Sequence, residues 1–386
     1  LWWLDMGFGG LALLGGLWVL RRKVWKEGGW LLPALLVTPV LLLVLVSQVQ
    51  PAYMNARHLS VISGFFLLLV AGGVGLLWQR HWAAGGLACL VLAGGMAYST
   101  VNYFSLPEYG KDNFAGVGDL LRREMMPGDV LLLNPPHMQR LFRYYLPVDE
   151  LTAAEQAGVA VHWWGMPILF EWEKSEALLS GLAGPYRRVW LVTSQMYPYG
   201  DPEKQVEGWL QTNGLRIGES SFHSPNSILE LDLFLLGGPV ADRMPADALP
   251  VQAQFGDAIE LAGYRVGAPL WPGATIPVTY YWRALRPLDE RYKYIAGLET
   301  QTDPQPTLFQ PTEREFYDGF LPSVWWTPGT LIVEESGIRG EGAVWGESGR
   351  LSLQLYAADS LEKLPVVATQ AGVIADDGQS LKLSFP

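Results

Sequence analysis

The segment QPAYMNARHLSVISGFFLLLVAGG, residues 50–73, places Arg57 and His58 where a polar stretch turns into a long apolar run. A cation at such a junction must stay hydrated or find an anionic partner. Two uses compete. Arg57 can snorkel to the boundary between water and lipid and serve no specific partner. Alternatively its guanidinium holds a phosphate, because it offers several donors in a fixed fork and keeps its charge. In that second use His58, Asn55 and Tyr53 add donors. The N-terminus of the helix that follows adds a favourable dipole for an anion.

Other chemistry-bearing residues are sparse. His137, His162 and His223 lie far apart and lack metal-ligand spacing. Cys89 is the only cysteine and sits in an apolar run, so no intrachain disulfide and no cysteine metal site can form. No metal and no cofactor is expected. The sequence has no glycine-rich phosphate loop after a strand, no G-x-S-x-G elbow and no H-E-x-x-H. GFGG (7–10) and GGVG (72–75) lie in apolar runs, where glycines serve close helix packing. In VHWWGMP (161–167), Trp163 and Trp164 either stack on a sugar ring or pack against core or bilayer. Trp271, Trp325 and Trp326 pose the same choice near the C-terminus, between a carbohydrate platform and a β core.

The elements that would position these residues divide the chain. Its 386 residues suffice for two or three domains. Residues 1–100 hold six Lys or Arg and two acids, net +4, which leaves −15 on the remainder of a chain whose total is −11. An acidic back portion repels phosphate, so no nucleic-acid partner is expected. Apolar runs at 1–20, 30–47, 59–78 and 83–98 predict four transmembrane helices in a bundle over residues 1–98. Each approaches the ~20 residues that a bilayer crossing needs.

The first and third connections, RRKVWKEGG and QRHW, are short and basic, so both are expected in the cytoplasm. Residues 48–58 and everything after 98 then lie on the extracytoplasmic side of the plasma membrane. Trp18, Trp25, Trp30, Trp78 and Trp82 would mark the inner interface, and Trp2, Trp3, Tyr53, Tyr98 and Tyr103 the outer one. The chain starts at Leu1 without a basic leader or cleavage site, so the expectation is that it begins inside a longer protein.

Residues 99–236 read as a small three-layer α/β domain. Phe114, Val117, Leu120, Leu121 and Met125 share one helix face over 112–126, Pro127-Gly128-Asp129 turns, and Val130–Leu133 forms a buried strand. A helix at 137–145, a strand at 188–195, a helix at 201–214 ended by Gly214, and strands near 215–222 and 228–236 complete it. Residues 237–254 read as a linker, and 255–386 as an antiparallel β-sandwich of short strands between Pro/Gly turns.

The order of parts, with NARHLSVISGFFLLL and PEYGKDNFAGVGDLLRREMMPGDVLLL, resembles the C-terminal part of a membrane-embedded (GT-C type) glycosyltransferase. The group is the one containing dolichyl-phosphate-mannose–protein mannosyltransferases and aminoarabinose transferases. Arg57 matches the Arg of the family's outer-loop Arg-Tyr, while His58 stands in place of Tyr and the helix lacks the family's proline. The resemblance spans about 1–236. It implies sugar transfer from a polyprenyl-phosphate donor to an acceptor glycan, lipid or protein on the outer face. Arg57, His58, Asn55 and Tyr53 would bind the donor phosphate. The family's catalytic acid lies in an earlier outer loop, expected upstream of this chain. Asp5 does not match that motif and is assigned no role, so this chain alone is expected to be inactive. The alternative from the same residues is a non-enzymatic, membrane-anchored surface protein that binds a glycan or a partner subunit.

Overall fold

The structure, a computed structural model, describes residues 2–21, 30–49, 62–106, 112–134, 138–156, 158, 160–163, 172–194, 201, 203–225, 227–300, 307–339 and 349–385. The chain divides into two compact units, Leu1–Gly110 and Lys111–Pro386.

Unit 1 is helical: α1 Trp2–Arg21, α2 Leu31–Val49, α3 Ser63–Arg80 and α4 Trp82–Ser105. Helices α3 and α4, of 18 and 24 residues, are long and apolar enough to cross a membrane. At ~1.5 Å per residue, α3 comes close to the ~30 Å of a hydrocarbon core and α4 exceeds it. Leu68, Leu87 and Leu90 stand exposed on them, which water disfavours and lipid does not. The apolar stretches described in α1 and α2 are shorter, Met6–Leu17 and Ala34–Gln48. His81, in extended conformation, separates α3 from α4 and breaks the helical hydrogen-bond series. Helices α1 and α3 pack with their backbones nearly touching. A Cβ at Gly15 would strike the Leu69 carbonyl, and one at Gly73 the Leu11 carbonyl. Gly7, Gly9 and Gly10 face open space, so of the two glycine-rich runs it is GGVG, through Gly73, that permits close packing.

Unit 2 opens with a five-stranded mixed sheet in the order β2-β1-β3-β5-β4. Its strands are β1 Asp129–Asn134, β2 Ala160–Trp163, β3 Arg188–Ser194, β4 Gly214–His223 and β5 Ile228–Leu236. β2, β1 and β3 run parallel, while β5 and β4 are antiparallel additions. The helices are α5 Phe114–Glu124, α6 Gln139–Tyr145, α7 Val148–Gln156, α8 Trp172–Leu182 and α9 Gln205–Asn213.

Alternation along β1 explains the layers. Leu131 and Leu133 join Phe114, Val117, Leu121 and Phe142 on one face. Val130 and Leu132 join Leu179, Leu182, Val206 and Leu210 on the other. Helix α5 starts at Asn113, whose Oδ1 accepts the Gly116 N–H at 2.9 Å. It stops before Pro127, where Gly128 takes φ +87 in the turn. β2, α7 and α8 add to the elements expected from the sequence, and α8 buries Ser175, Leu179 and Leu182 at helical spacing.

Two antiparallel sheets follow. One has the order β14-β7-β8-β9-β12-β6 and the other β11-β10-β13-β16-β15. Ranges are β6 Val240–Ala241, β7 Leu249–Phe255, β8 Ile259–Val266, β9 Ile276–Ala284, β10 Tyr292–Thr300, β11 Thr307–Glu315, β12 Leu331–Ile338, β13 Gly349–Ala357, β14 Val366–Ala368, β15 Val373–Ile374 and β16 Ser380–Phe385. Their facing residues share one core around Phe255, Tyr280, Trp282, Tyr294, Phe316 and Leu353. The Tyr264 hydroxyl on β8 donates to the Ser384 carbonyl on β16 at 2.5 Å and joins the two sheets.

One boundary needs correction. Residues 237–254, read as a linker, supply β6 and most of β7. A register shift between Pro250 and Ala253, with Gln252 at φ 51, bends β7. Val251, Ala253 and Phe255 are nonetheless wholly buried.

Candidate functional site

Of the residues singled out from the sequence, Tyr53, Asn55, Arg57, His58 and Trp164 lie outside the described residues. Trp163 closes β2, but its side chain is also outside the description. Trp271 is half-buried, and its Nε1 donates to the Arg122 carbonyl at 2.6 Å. It therefore joins the β sheets to the end of α5. Trp326 is buried against Phe316, with ring centroids 4.5 Å apart. Trp325 is exposed by 68%.

The structure brings together a set of charged residues that no motif announced. They line a cleft of about 400 Å³ between the mixed sheet and the β domain, both inside unit 2. Glu124 and Met126 come from the end of α5, Arg188 and Trp190 from β3, and Ile217–Ser220 from β4. Arg314 comes from β11, Tyr317 and Asp318 from the 3-10 turn Phe316–Gly319, and Glu334–Ser336 from β12. The two walls are fastened to each other. Thr275 N–H donates to the Arg123 carbonyl at 2.8 Å, and Arg187 Nε pairs with Glu335 at 3.1 Å.

Two buried carboxylates organise the cleft. Asp129, 1% exposed, pairs with Arg188 at 3.1 Å. It also accepts the Trp190 indole N–H at 2.8 Å and the Met126 backbone N–H at 2.9 Å. Arg188, itself 5% exposed, has its second amino group directed to the Glu124 carbonyl at 3.2 Å. Glu334, 2% exposed, accepts from Trp282 Nε1 at 2.8 Å, from the Tyr294 hydroxyl at 3.0 Å and from Tyr317 N–H at 3.2 Å. The last contact, with the Tyr317 hydroxyl bonded to the Val333 carbonyl, holds the 3-10 turn in place. That turn is strained: Tyr317 and Asp318 both adopt φ 50 ahead of Gly319 at φ 88. Glu334 thus positions Asp318 at the cleft.

Burial pushes the Glu334 carboxyl up to about 7, against the pull of its three donors and Arg314. Burial also pushes Asp129 to about 6 against Arg188, and Asp232 to about 6 against Arg216. The fold therefore holds protons at pH values where an unfolded chain, with carboxyls near 3.8–4.5, has released them. Unit 2 is expected to gain stability as pH falls from about 7 toward about 5, and to lose it as pH rises through the folded values. Thermal melts across that range check this. A melting temperature that drops on mild acidification would contradict it.

Among the described residues no group of three or more His, Cys, Asp or Glu is arranged to hold a metal ion. His223 is exposed at the end of β4. The signal that could have revealed the cleft was charge inside strand patterns. Glu334 interrupts LIVEESGI, and Asp129 and Arg188 each open an otherwise apolar strand.

No protein-family model matches the chain, and no curated protein matches it significantly. Three solved structures from Bacteroides uniformis show slight likeness. A calcium-binding mutant of β-glucuronidase 2 is 11% identical over 47% of this chain and 26% of its own, with TM-score 0.18. The same enzyme covalently bound to cyclophellitol-6-carboxylate aziridine gives the same values. A β-glucuronidase crystal structure is 10% identical, with TM-score 0.17. The chain spans about a quarter of those proteins, 26% of their length. Likeness at this level establishes neither a shared fold nor a shared activity.

Proposed function

We propose that this chain is the membrane-embedded carboxyl-terminal part of a glycosyltransferase that draws its sugar from a polyprenyl-phosphate donor. The observation that carries the reading is an order of parts. An apolar helix pair, α3 and α4, follows Arg57-His58 directly and leads into a separately folded, acidic unit 2. In this reading α1 and α2 complete a four-span bundle, unit 2 lies on the extracytoplasmic side, and its two antiparallel sheets form a β-sandwich.

Arg57, His58, Asn55 and Tyr53 sit at the outer membrane face and bind the donor phosphate. As the bond at the anomeric carbon breaks, negative charge builds on the departing lipid phosphate. A fixed guanidinium stabilises that charge without reorganising. The acceptor is a glycan, lipid or protein on the same side. Its hydroxyl loses a proton to a carboxylate supplied from outside this chain.

The test uses membranes that express the full-length gene product, supplied with a radiolabelled polyprenyl-phosphate sugar. Transfer of label above that of membranes lacking the protein is expected. No transfer, with the protein present and folded, would leave a membrane-anchored surface protein that binds a glycan or a partner subunit.

A further inference from the structure

The cleft of unit 2 is a built cavity, and the transferase reading leaves it without a role. Its charges sort into engaged and available groups. Arg187 is held by Glu335 at 3.1 Å, Arg188 by Asp129 at 3.1 Å, and Arg216 by Glu219 at 3.2 Å and Asp232 at 3.7 Å. Arg314 hydrogen-bonds Ser336 Oγ at 3.4 Å, and the charges of Asp318, Glu124 and Glu334 lie around it. Glu124 and Asp318 also line the cavity, with the half-buried Phe320 beside them.

We infer that this cleft binds an uncharged saccharide. A sugar hydroxyl both donates and accepts, so it needs acceptors and donors side by side. Here Glu124 and Asp318 accept, Arg314 donates, and Ser220 and Ser336 do either. Hydrogen bonds to charged groups are the stronger kind, and in a recessed site water competes for them less. The half-buried Phe320 ring, with the Arg216 guanidinium 5.8 Å from its centroid, gives the cleft an aromatic surface for the apolar C–H face of a pyranose. The cavity of about 400 Å³ lies at the small end of ligand pockets, with room for about one or two sugar rings. Glu124 and Asp318 outnumber Arg314, whose charge they already share, so a phosphate or carboxylate ligand is repelled. The left-handed backbone at Tyr317–Gly319 is strained geometry of the kind that collects at ligand sites, and Glu334 keeps it fixed. This inference stands apart from the transferase reading and concerns a different part of the chain.

The test is calorimetric titration of the full chain in lipid nanodiscs with cellobiose, maltose and mannobiose, and with glucose 6-phosphate as the anionic comparison. At least one neutral disaccharide should bind saturably, and more tightly than the phosphate ester. Glu124→Gln and Asp318→Asn should each weaken that binding by about tenfold or more, because each removes a charged acceptor. Asparagine tolerates the left-handed backbone at 318 as aspartate does, so this change spares the turn. Ser220→Trp, which fills the cleft from β4, should abolish binding while leaving the melting temperature near that of the parent. The inference is overturned if no neutral sugar binds, if all three variants bind as the parent does, or if glucose 6-phosphate binds best.

Discussion

Asp129→Leu is expected to lower the unfolding free energy of unit 2 by about 3–5 kcal/mol, read from denaturant melts. The reason is what the substitution leaves behind. Arg188 is 5% exposed and has its ion-pair partner in Asp129, 3.1 Å away. Without that carboxylate a buried guanidinium stands uncompensated. The Trp190 indole N–H and the Met126 backbone N–H lose their acceptor at the same time.

The pair itself adds little net stability, since burial already pushes Asp129 up to about 6. Desolvation therefore outweighs the attraction of Arg188. Removing both charges, in Asp129→Leu with Arg188→Met, should recover most of the loss. If the single and double variants are equally unstable, the charge argument fails and the packing of leucine itself is responsible.

Under the proposed transferase function, Arg57→Ala is expected to lower sugar transfer by the full-length gene product about 10²–10³-fold, with expression and membrane insertion intact. The size follows from losing one preorganised donor to a charge that develops on the leaving phosphate. Arg57→Lys should recover only part of the activity, because an ammonium keeps the charge but loses the forked geometry. Transfer assays on membranes carrying each variant check both statements. Near-parental transfer by Arg57→Ala would return Arg57 to the simpler role of an interfacial cation.

These two residues differ in how much of their role the sequence displays. Arg57 can be noticed without a structure, because a cation beside a long apolar run is conspicuous. Asp129 sits in the turn sequence Pro127-Gly128-Asp129 and looks like ordinary turn chemistry. Its burial depends on Arg188 and Trp190, about sixty residues further on, lying on the neighbouring parallel strand. The tryptophans left two uses open in the sequence, a sugar platform or a packed core. In the structure Trp271 bonds to the Arg122 carbonyl and Trp326 packs on Phe316.

The sequence by itself determined the local elements wherever one period dominated. The apolar runs of α3 and α4, the face of α5 and the strands β1, β3, β8, β9 and β12 all follow from burial patterns that neighbouring residues carry together. β7 carries the same period, Val251, Ala253 and Phe255 alternating with Gln252 and Gln254, but it follows a stretch whose glycines, prolines and acids read as a linker. Only the tertiary structure decided the cleft, since Glu124, Arg188, Arg314, Asp318 and Glu334 come from five separate elements. Whether such a charge meets water, a partner or a cavity is set by the packing of two sheets, and no short window of sequence records that.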